Sequence, residues 1–165
     1  MENKRRILFV CTGNIIRSAL AEYMLRHLAE QAGVADKYEI DSAGIISYHV
    51  GELPDSRMRK VARQHGLSLD GRARQLTHQD LQHFDVILAM DHSHFNDILH
   101  MDGGSQIENK LFMMRKFDSP SAPEASVPDP YYGDMNGFHE TYHIVRRSCE
   151  GLLKALEGGE LERKE

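Results

Sequence analysis

One sequence feature constrains the fold of this 165-residue chain more than any other. It is a short apolar run that is followed at once by a polar loop and then by a helical pattern of apolar residues. The run Ile7–Val10 is bounded by the turn-forming pair Gly13-Asn14, which is typical of a buried parallel strand. Beyond the loop, apolar residues recur every three or four positions until Gly33, which predicts a helix beginning at about Arg17. A strand, a tight loop and a helix in this order predict the first unit of an α/β fold.

Strands and helices alternate along the rest of the chain. The apolar patterns predict further strands at 38–43, 85–89 and 110–114, and further helices at 58–65, 93–99 and 136–156. This alternation predicts an α/β three-layer sandwich with a central four-stranded parallel sheet flanked by helices. We expect a single domain over residues 1–158 and a frayed tail over 159–165. Because ligands bind at the carboxyl ends of parallel strands, the loop after the first strand is the predicted site.

Composition excludes several classes of partner and location. The net charge of -5 does not favour a nucleic-acid partner, so none is expected. No apolar stretch approaches the ~18 residues of a membrane-spanning helix, so we expect no membrane span. The two cysteines, Cys11 and Cys149, are too few for a disulfide framework, which predicts a reducing, cytoplasmic location.

The loop from Cys11 to Arg17 combines a thiol with an anion-binding backbone. Gly13 can adopt positive φ and Asn14 tolerates the left-handed region, so the loop can curl until its N–H groups converge. With the positive end of the helix behind it, such a nest binds a tetrahedral oxyanion, and Arg17 can hold two of its oxygens. The same surroundings, and a hydrogen bond from Ser18, favour a nucleophilic thiolate over a thiol.

A second loop carries a candidate proton donor. It reads Asp129-Pro130-Tyr131-Tyr132-Gly133-Asp134 and follows a proline-rich segment. Phosphoryl transfer to sulfur needs an acid for the departing oxygen. A rigid loop with a carboxyl group beside two aromatic rings suits an aryl phosphate.

Taken together, the two loops resemble those of the low-molecular-weight protein tyrosine phosphatases. That family has a Cys-x5-Arg-Ser loop near its N-terminus and an Asp-Pro-Tyr-Tyr loop about 120 residues later. The resemblance covers nearly the whole chain. It includes the segments Asp41-Ser42-Ala43-Gly44, His49-Val50-Gly51, Ala73-Arg74-Gln75, and Phe84-Asp85 leading to Met90-Asp91.

The resemblance implies a phosphatase that hydrolyses phosphotyrosine through a phosphocysteine intermediate. It makes Cys11 the nucleophile, Arg17 the ligand of the transition-state oxygens, and Asp129 the general acid and then base. It implies a supporting network formed by Asn14, Ser18 and Ser42. The implied substrate-binding residues are Thr12, Gly13, Asn14, Ile15, Ile16, Ser18, Tyr48, Tyr131 and Tyr132. The expected partners are a tyrosine-phosphorylated protein and, as active-site anions, phosphate or vanadate, with no metal and no other cofactor.

The chain departs from the family pattern at three positions. The family commonly has a second cysteine where this chain has Ile16, and a proline where it has Ala19. A histidine that usually joins the supporting network corresponds to Gly71. The sequence therefore leaves open how that network is completed and how oxidation of Cys11 is controlled.

A zinc metalloprotease is an alternative from another class of enzyme. The segment from His139 to His143 matches the His-Glu-x-x-His zinc motif, with both imidazoles on one helical face. The two histidines flank the buried stripe through Tyr142, two arginines follow them, and no third ligand is evident. We therefore expect these histidines at the surface, together with the other eight, including His92 and His94.

Three more alternatives lie closer to the resemblance. Arsenate reductases of this type use several cysteines, whereas Cys149 is the only one besides Cys11 and lies in the predicted buried stripe of the last helix. Arginine phosphatases of this type carry threonine at the position of Ile15, where isoleucine instead packs against an aryl ring. A non-enzymatic phosphotyrosine-binding module would need neither Cys11 nor Asp129.

Overall fold

The computed structural model describes residues 4–161. Its four strands are β1 (Arg5–Cys11), β2 (Tyr38–Gly44), β3 (Val86–Ala89) and β4 (Leu111–Met113). Its five α-helices are α1 (Arg17–Gln31), α2 (Ser56–Gln64), α3 (His78–His83), α4 (His92–His100) and α5 (Met135–Glu157). Short 3-10 helices span Ala35–Lys37, Gly104–Lys110 and Met114–Phe117.

The strands form one parallel sheet in the order β2-β1-β3-β4. Strand β1 is central, and it pairs with β2 from Arg5 opposite Tyr38 to Cys11 opposite Gly44. The chain reverses its direction of travel across the sheet on leaving β2, since β3 lies on the other side of β1. Cys11 therefore ends the central strand at the crevice where open α/β sheets bind ligands.

Helices cover both faces of the sheet, because the side chains of each strand alternate between two hydrophobic cores. On one face, Ile7 and Phe9 of β1 pack with residues of α1, α2 and α5. On the other face, Leu8 and Val10 pack with the smaller α3 and α4 and with Ile107. The predicted three-layer sandwich with a four-stranded parallel sheet is confirmed.

The structure adds one α-helix that hydrophobic periodicity did not reveal. Helix α3 has only six residues, too few for a recognisable stripe. It is stabilised at its start by a capping box, in which the Thr77 side chain accepts from the Asp80 N–H and the Asp80 carboxylate accepts from the Thr77 N–H. Local hydrogen bonding, more than amphipathicity, accounts for this helix.

Within residues 4–161, no helix combines the length and the apolar character needed to cross a membrane. Beyond α5, the chain continues in a turn in which the Glu160 N–H donates to the Ala155 carbonyl. Leu161 packs partly against the larger core. The rest of the predicted frayed tail, residues 162–165, lies outside the described residues, so the domain boundary at 158 stays a prediction.

Close packing of α5 on the segment after β4 makes Gly151 a test of the fold. A Cβ at Gly151 would overlap the Phe117 carbonyl oxygen, whereas a Cβ at Gly137 of the same helix would meet only ordinary contacts with Pro130. Because backbone must move to relieve the overlap, we expect Gly151→Ala to lower the free energy of unfolding by about 1–3 kcal/mol. Gly137→Ala is the matched control and should be neutral or stabilising. Urea denaturation measures both; equal effects would contradict this packing.

Candidate active site

The loop between β1 and α1 is held by its carbonyl groups. The carbonyl oxygens of Cys11 and Thr12 accept hydrogen bonds from the N–H groups of Ile45 and Ile46, at 2.9 and 3.0 Å. The Ile15 carbonyl accepts from the Asp55 N–H at 2.8 Å. The segments that follow β2 therefore fix the outer side of the loop.

The N–H groups of the same loop are left for a ligand. No described residue accepts a hydrogen bond from the N–H groups of residues 12–16. The N-cap residue of α1, Ile16, provides no side-chain hydrogen bond. The four other α-helices between residues 4 and 161 are each capped by a side chain, those of Asp55, Thr77, Asp91 and Asp134. Unpaired N–H groups at a helix N-terminus attract an anion, as the sequence predicts for this loop.

The curl of the loop depends on one strained residue and two close approaches. Asn14 has φ of 61°, the only positive φ of a non-glycine residue in the described part of the chain. Gly13 is needed for space, since a Cβ there would lie 2.8 Å from Cδ2 of His49. Gly44 lets the loop cross the end of β2, because a Cβ there would lie 2.9 Å from the Thr12 carbonyl oxygen. The left-handed residue is thus Asn14 and not Gly13.

Side-chain hydrogen bonds fix the loop from behind. The Asn14 amide donates to Ser18 Oγ at 2.8 Å and to Ser42 Oγ at 2.9 Å. Ser18 Oγ lies 3.0 Å from Cys11 Sγ. Because the Asn14 amide already donates to Ser18, the serine hydroxyl hydrogen can point at the sulfur or at the Ala43 carbonyl, and the contact with the sulfur is the shorter, at 3.0 Å against 3.5 Å. The structure thus brings Asn14, Ser18 and Ser42 together by hydrogen bonds.

Glu22 extends this network beyond Ser42. Ser42 Oγ donates to Glu22 Oε1 at 2.6 Å, and Arg26 pairs with the other oxygen of Glu22 at 2.6 Å. Burial raises the pKa of Glu22, and the hydrogen bond from Ser42 and the charge of Arg26 counter only part of that rise. A side chain at Gly71 would collide with the Tyr23 hydroxyl, 2.7 Å from its Cβ. Sequence reasoning did not anticipate a role for Glu22.

Arg17 is almost fully buried beside the loop, 3% exposed. Its Nη1 donates to Asp91 Oδ2 at 2.9 Å and to the Val127 carbonyl at 3.0 Å. Burial opposes ionisation of Asp91, but hydrogen bonds from Ser93, the His94 N–H and Arg17 outweigh it and lower its pKa to about 2. The Asp91 carboxylate thus holds the guanidinium at Nη1, so that the Nε and Nη2 edge can still donate to phosphate oxygens.

The predicted acid, Asp129, lies on the far side of Arg17. The segment that leads to Asp129 is held beside the end of β3, where the Val127 N–H donates to the Met90 carbonyl at 2.7 Å. Asp129 Oδ1 accepts from the Tyr131 N–H at 3.0 Å, and Oδ2 lies 3.4 Å from Arg17 Nη2. Its side chain is 44% exposed, which leaves the carboxyl group accessible to a substrate.

These elements surround one cleft of about 400 Å³. The cleft is lined by Cys11, Thr12, Gly13, Ile15, Ile16, Arg17, Ile46, Tyr48, His49, Asp129, Tyr131 and Tyr132. All predicted catalytic residues and most predicted binding residues are in this set. Asn14 and Ser18 are not, since their side chains turn into the supporting network. Ile46 and His49 line the cleft but were not among the predicted binding residues. Of the two, only His49 lies in a segment that resembles the family, His49-Val50-Gly51.

The prediction that His94 lies at the surface is wrong. His94 is 1% exposed, and its Nε2 lies 2.7 Å from Thr12 Oγ1. Helix α4 carries this side chain inward one turn after Asp91, which caps the helix. The helix is short, and its sequence, with histidine at three positions, gave no clear sign of which one faces the loop.

The residues behind the metalloprotease alternative lie away from the cleft. His143 is exposed and His139 half-buried, on either side of the fully buried Phe138 and Tyr142. Between residues 4 and 161, no group of three or more potential ligands could hold a metal ion. The structure thus brings no third ligand to the His-Glu-x-x-His segment.

Cys149 is a buried core residue, as predicted. It is 0% exposed, its Sγ contacts the Ala21 carbonyl at 3.7 Å, and burial raises the pKa of its thiol. It packs between α5 and α1 and not in the cleft that contains Cys11. This placement does not suit the relay of cysteines that an arsenate reductase uses.

Comparison with known proteins decides the family. The family model described as low molecular weight phosphotyrosine protein phosphatase matches residues 6–162. The chain belongs to this family. A putative low molecular weight protein-tyrosine-phosphatase of Synechocystis is 41% identical, over 92% of this chain and 96% of that protein.

Solved structures agree with this assignment. The protein tyrosine phosphatase of Entamoeba histolytica, crystallised with Hepes in its active site, is similar with a TM-score of 0.88 and 38% identity, covering 95% of this chain and 99% of that one. An arginine phosphatase of Drosophila is similar with a TM-score of 0.82 and 31% identity, covering 92% and 97%. The family, the fold and the hydrolase class predicted from the sequence are confirmed, and phosphoproteins are the substrate class that the family implies.

The burial of Cys149 and the presence of Ile16 generate a prediction about oxidation. Peroxide converts an accessible thiolate to sulfenic acid, which a neighbouring thiol can trap as a disulfide. Because Ile16 cannot do so and Cys149 is buried elsewhere, we expect oxidised enzyme to recover little activity with dithiothreitol, and bound phosphate to protect it. Ile16→Cys should make inactivation largely reversible, whereas Ile16→Ser, similar in size but without a thiol, should not.

Activity recovery and intact mass after graded peroxide measure this. Near-complete recovery of the wild type with a mass two units low would show that Cys11 and Cys149 do pair.

Proposed function

We propose that this phosphatase hydrolyses phosphotyrosine in proteins, with Cys11 as nucleophile, Arg17 as phosphate ligand and Asp129 as general acid and base. The observation that carries the proposal is a single cleft lined by a thiol at the end of β1, by an arginine and by a carboxyl group. The unpaired N–H groups of the loop supply the anion site between them.

In the first step, a phosphotyrosine dianion enters the loop. Its equatorial oxygens accept hydrogen bonds from the loop N–H groups and from the Nε and Nη2 edge of Arg17. The Cys11 thiolate attacks phosphorus, so that the S–P bond forms as the bond from phosphorus to the tyrosine oxygen breaks. Asp129 gives its proton to that leaving oxygen, and tyrosine departs.

In the second step, water hydrolyses the phosphocysteine. Asp129, now a carboxylate, takes a proton from the water as its oxygen bonds to phosphorus and the S–P bond breaks. Inorganic phosphate leaves and the thiolate returns. The hydrogen bond from Ser18, 3.0 Å from the sulfur, stabilises the thiolate as leaving group.

The cleft walls support an aryl substrate. Tyr48 and Tyr132 are 81% and 95% exposed at the rim, and Tyr131 is fixed below by Arg57, which donates to its carbonyl and lies 5.3 Å from its ring centroid. A phosphorylated tyrosine ring can fill the space between these aromatic walls and Ile15. A serine phosphate would reach Cys11 only by burying its own backbone there.

The location remains part of the proposal. A cleft that depends on a free Cys11 thiol suits a reducing compartment, where both cysteines stay unpaired. We therefore propose a cytoplasmic protein, with phosphate or vanadate as active-site anions and no metal or other cofactor.

The first test concerns the acid. Asp129→Ala should lower kcat on phosphotyrosine peptides by about 10²–10⁴-fold, the usual contribution of a positioned acid. The loss should shrink for aryl phosphates with acidic phenols, because a good leaving group needs little protonation. Steady-state kinetics across a leaving-group series measure this, with Cys11→Ser as the background without nucleophile. A loss independent of the leaving group would assign the acid to another residue.

The second test concerns the substrate, since the Drosophila relative is an arginine phosphatase. We expect phosphotyrosine peptides to have much higher kcat/KM than phosphoserine or phosphoarginine peptides. Ile15→Thr should raise kcat/KM for phosphoarginine by about tenfold, because a hydroxyl can bind a guanidinium or its water. Ile15→Val is the matched control, as it has the shape of threonine without the hydroxyl. Comparable wild-type kcat/KM for phosphoarginine and phosphotyrosine would overturn the substrate assignment.

A further inference from the structure

Four side chains form a ring of close contacts beside the phosphate-binding loop, in which three contacts are hydrogen bonds and the contact between His94 and Asp91 is electrostatic only. Arg17 Nη1 donates to Asp91 Oδ2 at 2.9 Å, and Arg17 Nη2 donates to Thr12 Oγ1 at 3.4 Å. Thr12 Oγ1 lies 2.7 Å from His94 Nε2, and His94 Nδ1 lies 3.3 Å from Asp91 Oδ1. His94 is thus linked to both sides of the arginine, although it does not line the cleft.

The chemistry of the ring determines the direction of its hydrogen bonds. A guanidinium can only donate and a carboxylate can only accept. Thr12 Oγ1 therefore accepts from Arg17, and its own hydrogen is free to point at His94 Nε2. An accepting Nε2 requires the hydrogen of a neutral imidazole to sit on Nδ1. This nitrogen is buried and makes no hydrogen bond to a described residue, but it lies 3.3 Å from Asp91 Oδ1, where a negative carboxylate favours an N–H over a lone pair.

The His94 imidazole is neutral at neutral pH, as an accepting Nε2 requires. Burial of its ring, and secondarily the positive charge of Arg17, lower the pKa of His94 to about 4, while Asp91, Asp97 and Asp129 counter only part of that effect. At neutral pH the imidazole therefore carries one hydrogen and one acceptor nitrogen.

We propose that His94 is a positioning residue for phosphoryl transfer: through the Thr12 hydroxyl it holds the Nη2 edge of Arg17 where the transition-state oxygens arrive. The inference rests on the proposed function of the cleft. Asp91 and Val127 fix only Nη1, so the guanidinium could still rotate about that point. In the resting enzyme, Asp129 also lies 3.4 Å from Nη2. A second contact from Thr12 keeps Nη2 from following Asp129 when the acid moves to the leaving group.

Four variants test the ring. Thr12→Val keeps the shape of threonine and removes only the hydroxyl. His94→Leu removes the acceptor, and His94→Gln can place a carboxamide oxygen near the position of Nε2. The double variant Thr12→Val with His94→Leu measures coupling. For each, kcat and KM on a phosphotyrosine peptide and the inhibition constants of vanadate and inorganic phosphate are measured, with the melting temperature as a folding control.

We expect Thr12→Val and His94→Leu each to lower kcat by about 3–10-fold, the contribution of one hydrogen bond. Vanadate, which resembles the five-coordinate transition state, should lose affinity in parallel with kcat, and phosphate should lose less. The kcat of the double variant should be no lower than that of the more impaired single variant, because either substitution breaks the same connection from His94 through Thr12 to Arg17. His94→Gln should lose less than His94→Leu.

The proposal is overturned if the kcat losses of the two single variants multiply in the double variant. It is also overturned if His94→Gln and His94→Leu lose kcat equally, or if only KM changes. Unchanged kcat in Thr12→Val would overturn it as well. Should His94→Leu fail to fold, nitrogen-15 NMR of the wild-type imidazole still decides, since a hydrogen on Nε2 contradicts the ring and a hydrogen on Nδ1 supports it. A wild type that hydrolyses no phosphotyrosine would refute the proposed function, and the NMR result and vanadate affinities would test the ring separately.

Discussion

The N–H groups of the loop after β1 can bind a phosphate only if the loop keeps its curled shape without using them. Backbone polar groups are nearly always paired in folded proteins, so an unpaired row is costly unless a ligand or water takes it. Here the carbonyls of Cys11, Thr12 and Ile15 are tied to the segments after β2, and Asn14 accepts the left-handed conformation. The parallel pairing of β1 with β2 is thus a condition for the anion site, because it brings those segments beside the loop.

Two carboxylates support this loop from opposite sides. Glu22 orients the Ser42 hydroxyl, which lets the Asn14 amide and Ser18 direct a hydrogen at the sulfur. Asp91 holds Arg17 and, through the ring with His94 and Thr12, both of its Nη atoms. Each carboxylate can only accept, so each sets the direction of a chain of hydrogen bonds that ends at a reacting group. The carboxyl groups of Glu22 and Asp91 therefore lie behind the positive and polar groups that line the anion site.

The rim of the cleft is apolar, in contrast to its base. Five large hydrophobic side chains are exposed within residues 4–161, and three of them, Ile46, Tyr48 and Tyr132, line the cleft. Exposed apolar side chains are unfavourable in the free protein, and a cluster of them marks a binding surface. This cluster suits the aryl ring of a substrate and the residues that flank the phosphotyrosine. Charge at the base and aromatic walls at the rim together favour a long, flat phosphate ester over a short one.

Much of the fold and the chemistry of the site could be predicted from the sequence, because both are local. Alternating apolar runs and stripes indicate the strands and helices, and Cys11, Arg17 and Ser18 share one loop and one helix start. Contacts between distant segments could not be predicted from local patterns, and the contact of Asn14 with Ser42 was expected only from the family resemblance. Glu22 joins Ser42, Asp91 joins Arg17, and His94 is buried against Thr12 only because the sheet order places β2 and β3 on either side of β1. The sequence by itself determined which groups are the candidates for reaction. Tertiary structure decided which groups hold them, since side chains 20 to 82 residues apart have no local pattern that pairs them.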